Sequence, residues 1–258
     1  YYLMESIKRK LLIKKKKLIT HLLNHINSLD EMKVSVDGDK KNALFLKIQN
    51  SFDNAMAQKR KIDDFILNLN GLSGRKFRSM LNNLIEIHTA PKYLEIGSWH
   101  GSTACSACYK NTVDITCIDN WSQSFIEEKD PMFEFNKNIK NALNKSSNLN
   151  LINDDFREVN YNKIGKHNIY LYDGPHHIED HFDGIKLVQP ALENEYILIV
   201  DDWNWKQVRS GTLSAIEHLN LKIISQLEIK TTCDDSSALI TGENSDWHQG
   251  CCFFVIKK

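Results

Sequence analysis

Two stretches of this chain concentrate groups that could do chemistry: Asp173-Gly174-Pro175-His176-His177 and Asp201-Asp202-Trp203. Each follows a short apolar run of strand length. If those runs are neighbours in one sheet, three carboxylates converge near two imidazoles. Carboxylates crowded together out of water raise one another's pKa unless a cation joins them. Oxygen ligands with few soft groups favour magnesium, calcium or manganese over zinc. His181, four residues beyond His177, either reaches the same place or caps the helix surface.

A third stretch, Tyr93-Leu94-Glu95-Ile96-Gly97-Ser98-Trp99-His100-Gly101-Ser102-Thr103, reads as a strand, a tight turn and the start of a helix. Gly97 permits a backbone conformation or a close approach that a side chain would block. Gly101 lets a ligand and the helix start come together. A dinucleotide fingerprint would place glycine where Trp99 stands, so a pyrophosphate would meet an indole. Glu95 puts a carboxylate near the turn, which suits a cationic amino acid better than a phosphate.

The elements that must position these groups follow from periodicity. Apolar residues recur with helical spacing over 5–29 (Ile7, Leu11, Leu18, Leu22, Ile26, Leu29), and again over 43–69 and 74–88. Residues 31–42 read as a loop, and Asn70 to Gly74 as a break. From Pro91 onward short strands alternate with helices. Strands are expected at Tyr93–Ile96, Asp114–Ile118, Leu149–Ile152, Asn168–Tyr172 and Tyr196–Val200. Helices are expected at Ser102–Tyr109, Met132–Leu143, Ile178–Leu192 and Lys206–Leu219. Leu221–Ile229 and Cys251–Ile256 read as a closing antiparallel pair. The sum is an α/β chain: a doubly wound, mostly parallel, seven-stranded Rossmann-like sheet over 91–258, behind an N-terminal helical extension over 1–90.

At the glycine turn the chain resembles class I S-adenosylmethionine-dependent methyltransferases, whose first motif is a strand with an acidic residue followed by Gly-x-x-x-Gly. The resemblance covers roughly residues 91–258 and implies a cofactor site along the strand ends. It would comprise Glu95, Gly97, Ser98, Gly101, Ser102, Asp119, Asn120, Trp121, Asp155, Phe156 and Asp173. Asp119 ends the second strand, where a carboxylate can accept both ribose hydroxyls. Asn120 or Trp121 would lie against the adenine. Asp154-Asp155-Phe156 ends the third strand, where the family binds the adenine amino group, although the two acids alone read equally as a helix N-cap.

Within that class the acidic stretches are similar to metal-dependent O-methyltransferases, closest to the sugar enzymes of macrolide biosynthesis with Asp-Gly-x-His followed by an acidic pair. The similarity implies Asp173, Asp201 and Asp202 as ligands of a divalent metal, magnesium first, and His176 as general base. His177 departs from the pattern and offers a second base. The implied reaction is transfer of a methyl group to a hydroxyl of a sugar or glycoside. Phenolic or other small acceptors stay open, as do a nicotinamide oxidoreductase, a related hydroxylase and a non-catalytic module of a larger glycan-modifying protein. Trp203 and Trp205 read as an apolar wall or as core, Gly71 to Lys76 as a lid or an interhelical turn, and Cys233 to Gly250 as a mobile substrate loop.

Composition narrows the partners. Lys and Arg total 33, as do Asp and Glu, but residues 1–90 hold 17 basic against 9 acidic side chains, leaving 16 against 24 beyond. An acidic C-terminal part disfavours a nucleic-acid groove there and suits a sulfonium or a metal ion. The run Lys14 to Lys17 reads as a solvated helix face, and the first helix's apolar stripe invites a homodimer. Six cysteines (Cys105, Cys108, Cys117, Cys233, Cys251, Cys252) lack paired ligand spacing and, with no secretion signal and no apolar run long enough for a membrane span, point to the reducing cytoplasm. Tyr1 in place of an initiating Met reads either as part of a longer, multidomain chain or as a remnant of cloning.

Overall fold

The computed structural model describes residues 2–30, 32–123 and 130–258. The chain forms α1 (Tyr2–Asp30), β1 (Lys33–Gly38), α2 (Ala43–Met56), α3 (Asp64–Leu67), α4 (Arg75–Ile87), β2 (Lys92–Ile96), α5 (Ser102–Cys108) and β3 (Asp114–Asp119). It continues with α6 (Pro131–Ala142), β4 (Asn148–Asn153), β5 (His167–Tyr172), α7 (Ile178–Leu187), β6 (Leu192–Asp201), α8 (Lys206–His218), β7 (Lys222–Lys230) and β8 (Cys251–Lys257).

The strands make one sheet in the order β1-β7-β8-β6-β5-β2-β3-β4. The central five, β6 to β4, run parallel, and β8, β7 and β1 pair antiparallel along one edge. Both faces of the parallel strands are covered, which is why they read as continuous apolar runs. In β6, Ile197 and Ile199 pack on one side with α2, α4, α5 and α6, while Leu198 and Val200 pack on the other with α7 and α8. Cys105, Cys108 and Cys117 are buried in the first of these cores as small apolar residues.

The sheet has eight strands rather than seven. The extra one, Lys33–Gly38, lies in the stretch expected to be a loop and pairs with β7, Val34 opposite Ile229 and Val36 opposite Leu227. It is a mostly exposed edge strand. Residues before 91 are therefore not a purely helical extension, because β1 completes the sheet. The helix expected over 43–69 is broken: α2 stops at Met56, and the chain passes through Asp63, whose side chain caps α3. The helix expected to reach Leu192 ends at Leu187, since Pro190 cannot continue it and β6 begins at Leu192.

In α1 the side chains of Ile7, Leu11, Leu18 and Leu22 are exposed, and those of Ile26 and Leu29 lie outside the described ones. Among the described residues no helix is long and apolar enough to cross a membrane.

Candidate active site at the carboxyl ends of the strands

The strand order reverses at β2: β3 and β4 lie on one side of it, β5 and β6 on the other. Such a switch point opens a crevice beyond the carboxyl ends of the strands. A cleft of about 570 Å³ lies there, lined by the turns after β2, β3, β4, β5 and β6. Its walls include Gly97, Ser98, Trp99, Ser102, Thr103, Asp119, Asn120, Asp154, Asp155 and Phe156 at one end. At the other stand Asp173, His176, His177, Asp202, Trp205, Gln207 and His248, with Leu72 over the opening. The described lining holds five carboxylates and no Lys or Arg.

Backbone geometry at the rim is unusual. Trp99, Asp202 and His248 all have positive φ (40°, 54° and 48°), a conformation that costs an ordinary residue about 1–3 kcal/mol and persists only where surroundings impose it. Asp119 fixes the first turn: its two oxygens accept the Trp99 and Trp121 backbone N–H groups at 2.8 and 2.7 Å. Each oxygen keeps a further lone pair for a ligand hydroxyl.

Eight of the eleven expected cofactor contacts border the cleft, and three do not. Gly97, Ser98, Asn120 and Asp155 border the cleft, as do Ser102, Asp119, Phe156 and Asp173. Glu95 does not reach it. On β2 it shares a face with Tyr93, so alternation sends it into the core, fully buried, with the Tyr93 hydroxyl donating at 2.6 Å. Burial pushes its pKa up to about 7. Gly101 serves packing instead: a Cβ there would come within 2.9 Å of the Phe135 ring. Trp121 turns away to lie edge-on to Phe135, its indole N–H donating to the Trp99 carbonyl at 3.0 Å.

The acidic end brings together Asp173, His176 and Asp202, whose ligand atoms all lie within 4.8 Å of one another. Loss of surrounding water, then the charges of Asp201 and Asp202, push the Asp173 carboxyl well above the usual carboxylate range. His176 Nε2 stands 2.6 Å from Asp202 Oδ2. Asp202 Oδ1 is buried without a hydrogen-bond partner. Asp201 is not in this group. It continues the Ile197–Ile199 face of β6 into the core beside Cys251, whereas Asp202 leaves the strand at positive φ and turns to the cleft.

The remaining candidates separate cleanly. His177 lines the cleft and begins α7, its backbone N–H donating to Asp180 at 2.9 Å. His181 is core: it packs edge-on to Tyr172 at 4.6 Å and contacts the Thr212 hydroxyl at 3.3 Å, and burial pulls its pKa down to about 3. Trp203 is core, donating to Glu228 at 2.6 Å, while Trp205 stands edge-on to His176 at 5.1 Å as cleft wall.

The stretch before α4 is an ordered arch. Arg78, fully buried, donates to the carbonyls of Ile66, Leu67, Leu69 and Gly71 and to the Ser73 hydroxyl, holding Leu72 over the cleft. The segment expected to be a mobile substrate loop packs against this arch. Ser245 and Asp246 carbonyls accept the first N–H groups of α4, and Trp247, His248 and Gln249 are buried. His248 escaped the sequence reading because no motif links it to Asp202, 46 positions earlier.

Residues 94–203 match the family model of a methyltransferase domain. No curated protein matches the chain. Among solved structures, an O-methyltransferase from Bacillus cereus in complex with SAH superposes with a TM-score of 0.51 at 13% identity, covering 82% of this chain and 91% of that one. TrmN from Thermus thermophilus gives 0.50 at 13% identity, over 76% and 52%. A precorrin-6y C5,15-methyltransferase from Geobacter metallireducens gives 0.50 at 11% identity, over 77% and 98%. The chain spans about half the length of the first solved structures it resembles. At such identities these likenesses establish a shared fold.

Proposed function

We propose that this chain is an S-adenosylmethionine-dependent O-methyltransferase that methylates a hydroxyl of a sugar or glycoside with the help of a divalent cation. The match of residues 94–203 to a methyltransferase domain supports the reaction class. The observation that carries the finer reading is the meeting of Asp173, His176 and Asp202 at one end of the cleft whose other end holds Gly97, Asp119 and Asp155.

The donor's adenosine would lie between Asp119, which accepts ribose hydroxyls, and Asp155 with Phe156, which face the adenine. An acidic lining without Lys or Arg among its described residues suits a sulfonium and disfavours a polyanionic acceptor. The described carboxylates fit a hard cation: Asp173 and Asp202 meet at one end of the cleft, where loss of water and mutual repulsion penalise their charges unless a cation joins them. Bound there, magnesium or manganese would supply Lewis-acid polarisation that makes an aliphatic hydroxyl more acidic.

His176 then takes the hydroxyl proton, and the neighbouring Asp202 carboxylate stabilises the charge that arrives on the ring. A base in this role contributes about 10²–10⁴-fold. His177, at the cleft lip, is the second candidate for that role. Trp205 and Leu72 offer apolar surface to a sugar ring and exclude water above the reacting atoms. Holding donor and acceptor in line contributes the rest.

The test is methyl transfer from labelled S-adenosylmethionine to a panel of sugars, glycosides and phenols, with mass spectrometry of the products. Transfer undiminished in excess chelator rejects the cation, and absence of donor binding in calorimetry rejects the reaction class. Turnover confined to phenols would move the acceptor class and leave the rest standing.

A further inference from the structure

The methyl-transfer chemistry proposed above uses Asp173, His176 and Asp202 and leaves one cleft histidine without a role. His248 comes from the segment between β7 and β8, is buried, and points Nε2 at Asp202 Oδ1 from 3.5 Å. On its other side Nδ1 accepts the Gly242 backbone N–H at 2.9 Å. An imidazole nitrogen that accepts a backbone N–H carries no proton, so in the neutral ring the proton sits on Nε2. That one bond decides what His248 can do. A protonated Nε2 has no lone pair for a metal, and with Nδ1 engaged there is none for a substrate proton. What remains is a donor aimed at Asp202 Oδ1, a buried oxygen without a hydrogen-bond partner.

The ring is held there firmly. The His248 backbone N–H donates to Ser245 Oγ at 2.9 Å, and that hydroxyl donates to the Gly242 carbonyl at 2.7 Å. The Ser245 carbonyl in turn accepts the Arg75 N–H at the start of α4, at 2.8 Å. Asp202 therefore stands between two imidazoles, His176 on the cleft side and His248 behind. At 3.5 Å this contact is longer than a typical hydrogen bond, and contacts of this kind commonly shorten once a ligand is bound.

We propose that His248 is a positioning residue: its Nε2–H grips Asp202 Oδ1 and so aims the other carboxylate oxygen at the divalent cation. The inference rests on the cation reading and adds a specific residue to it. Partners of this kind typically change metal affinity by about 10–100-fold.

The experiment is calorimetric titration of the full chain with Mn²⁺ alone, without donor or acceptor, for the parent, H248L and H248Q. Leucine removes the donor, whereas glutamine keeps an N–H near the Nε2 position. Expected is a Kd about 10–100-fold weaker in H248L and largely restored in H248Q. Parent-like affinity in H248L, or glutamine as weak as leucine, overturns the positioning role while the cation site stands. No Mn²⁺ binding by the parent overturns the cation site and His248's role with it. Histidine ¹⁵N spectra of the parent give a reading that needs no variant: a neutral Nε2–H ring with and without Mg²⁺ is expected, and an Nδ1–H ring defeats the proposal.

Discussion

Gly97 and Asp173 touch through their backbones: a Cβ on residue 97 would fall 1.9 Å from the Asp173 carbonyl oxygen. The first turn of the cleft and its first acidic residue are thus one packing unit. Gly97 also has φ of 89°, which L side chains rarely adopt. Gly97→Ala must therefore strain its backbone and wedge apart β2 and β5, parallel neighbours that end together at Ile96 and Tyr172. We expect a loss of about 3 kcal/mol or more in denaturant unfolding, and no measurable donor binding in the folded fraction. Parent-like stability in that variant would show that the strand ends are free to separate.

The cleft could be foreseen where strands are buried on both faces, because Tyr93–Ile96, Asn168–Tyr172 and Tyr196–Val200 carry their own signal as apolar runs. The residues after them had to lie at one end of the sheet. Strand β1 could not be foreseen in this way. Its sequence, Lys-Val-Ser-Val-Asp-Gly, is polar on an exposed edge, and only pairing with β7 makes it a strand. Depth was equally hidden. Glu95 and Asp201 were expected in the cleft because they stand near strand ends, yet alternation along β2 and β6 sends both inward. His248 needed tertiary packing to become visible at all.

Trp205 separates acceptor contacts from donor contacts. Its ring stands at 88° to His176, and its N–H donates to Ser237 Oγ at 3.1 Å, so its position is fixed from behind. Trp205→Ala removes apolar wall at the acidic end without touching the Gly97 or Asp119 turns. An aromatic contact of this kind is worth about 0.5–1.5 kcal/mol beyond area alone. We expect the acceptor KM to rise about five- to tenfold, with donor Kd changed less than about threefold. Equal losses in both constants would mean that the tryptophan supports the whole cleft.

Arg78 holds the arch over the cleft through four carbonyls and one hydroxyl, with no carboxylate bonded to it among the described residues. Burial lowers its pKa to about 10, still well above physiological pH, so it stays charged. Arg78→Met fills similar volume but orphans those acceptors in a place water does not reach. Unfolding free energy should fall by about 2–4 kcal/mol, and exchange should accelerate at the Leu67 and Leu69 amides, which donate to the Asp63 and Ile66 carbonyls. Retained protection at those amides would assign the order of the arch to the buried contact between the Ser73 and Ser102 hydroxyls, 2.9 Å apart, instead.

Glu95 gives a pH dependence whose sign can be worked out. Its folded pKa of about 7 lies above the ordinary value of 4.5, so between those values the native state binds more protons than the unfolded chain. Stability from this group is therefore greatest below about pH 4.5 and declines as pH rises toward 7, by at most about 3 kcal/mol in total. Glu95→Gln keeps an acceptor for the Tyr93 hydroxyl and removes the charge. Relative to the parent, the variant should be little changed near pH 5 and clearly more stable at pH 8, in urea titrations at each pH with chelator present. Chelator matters because Asp173 and Asp201 are displaced in the same direction, and a cation would alter their share. A variant that tracks the parent at both pH values would place the Glu95 proton elsewhere.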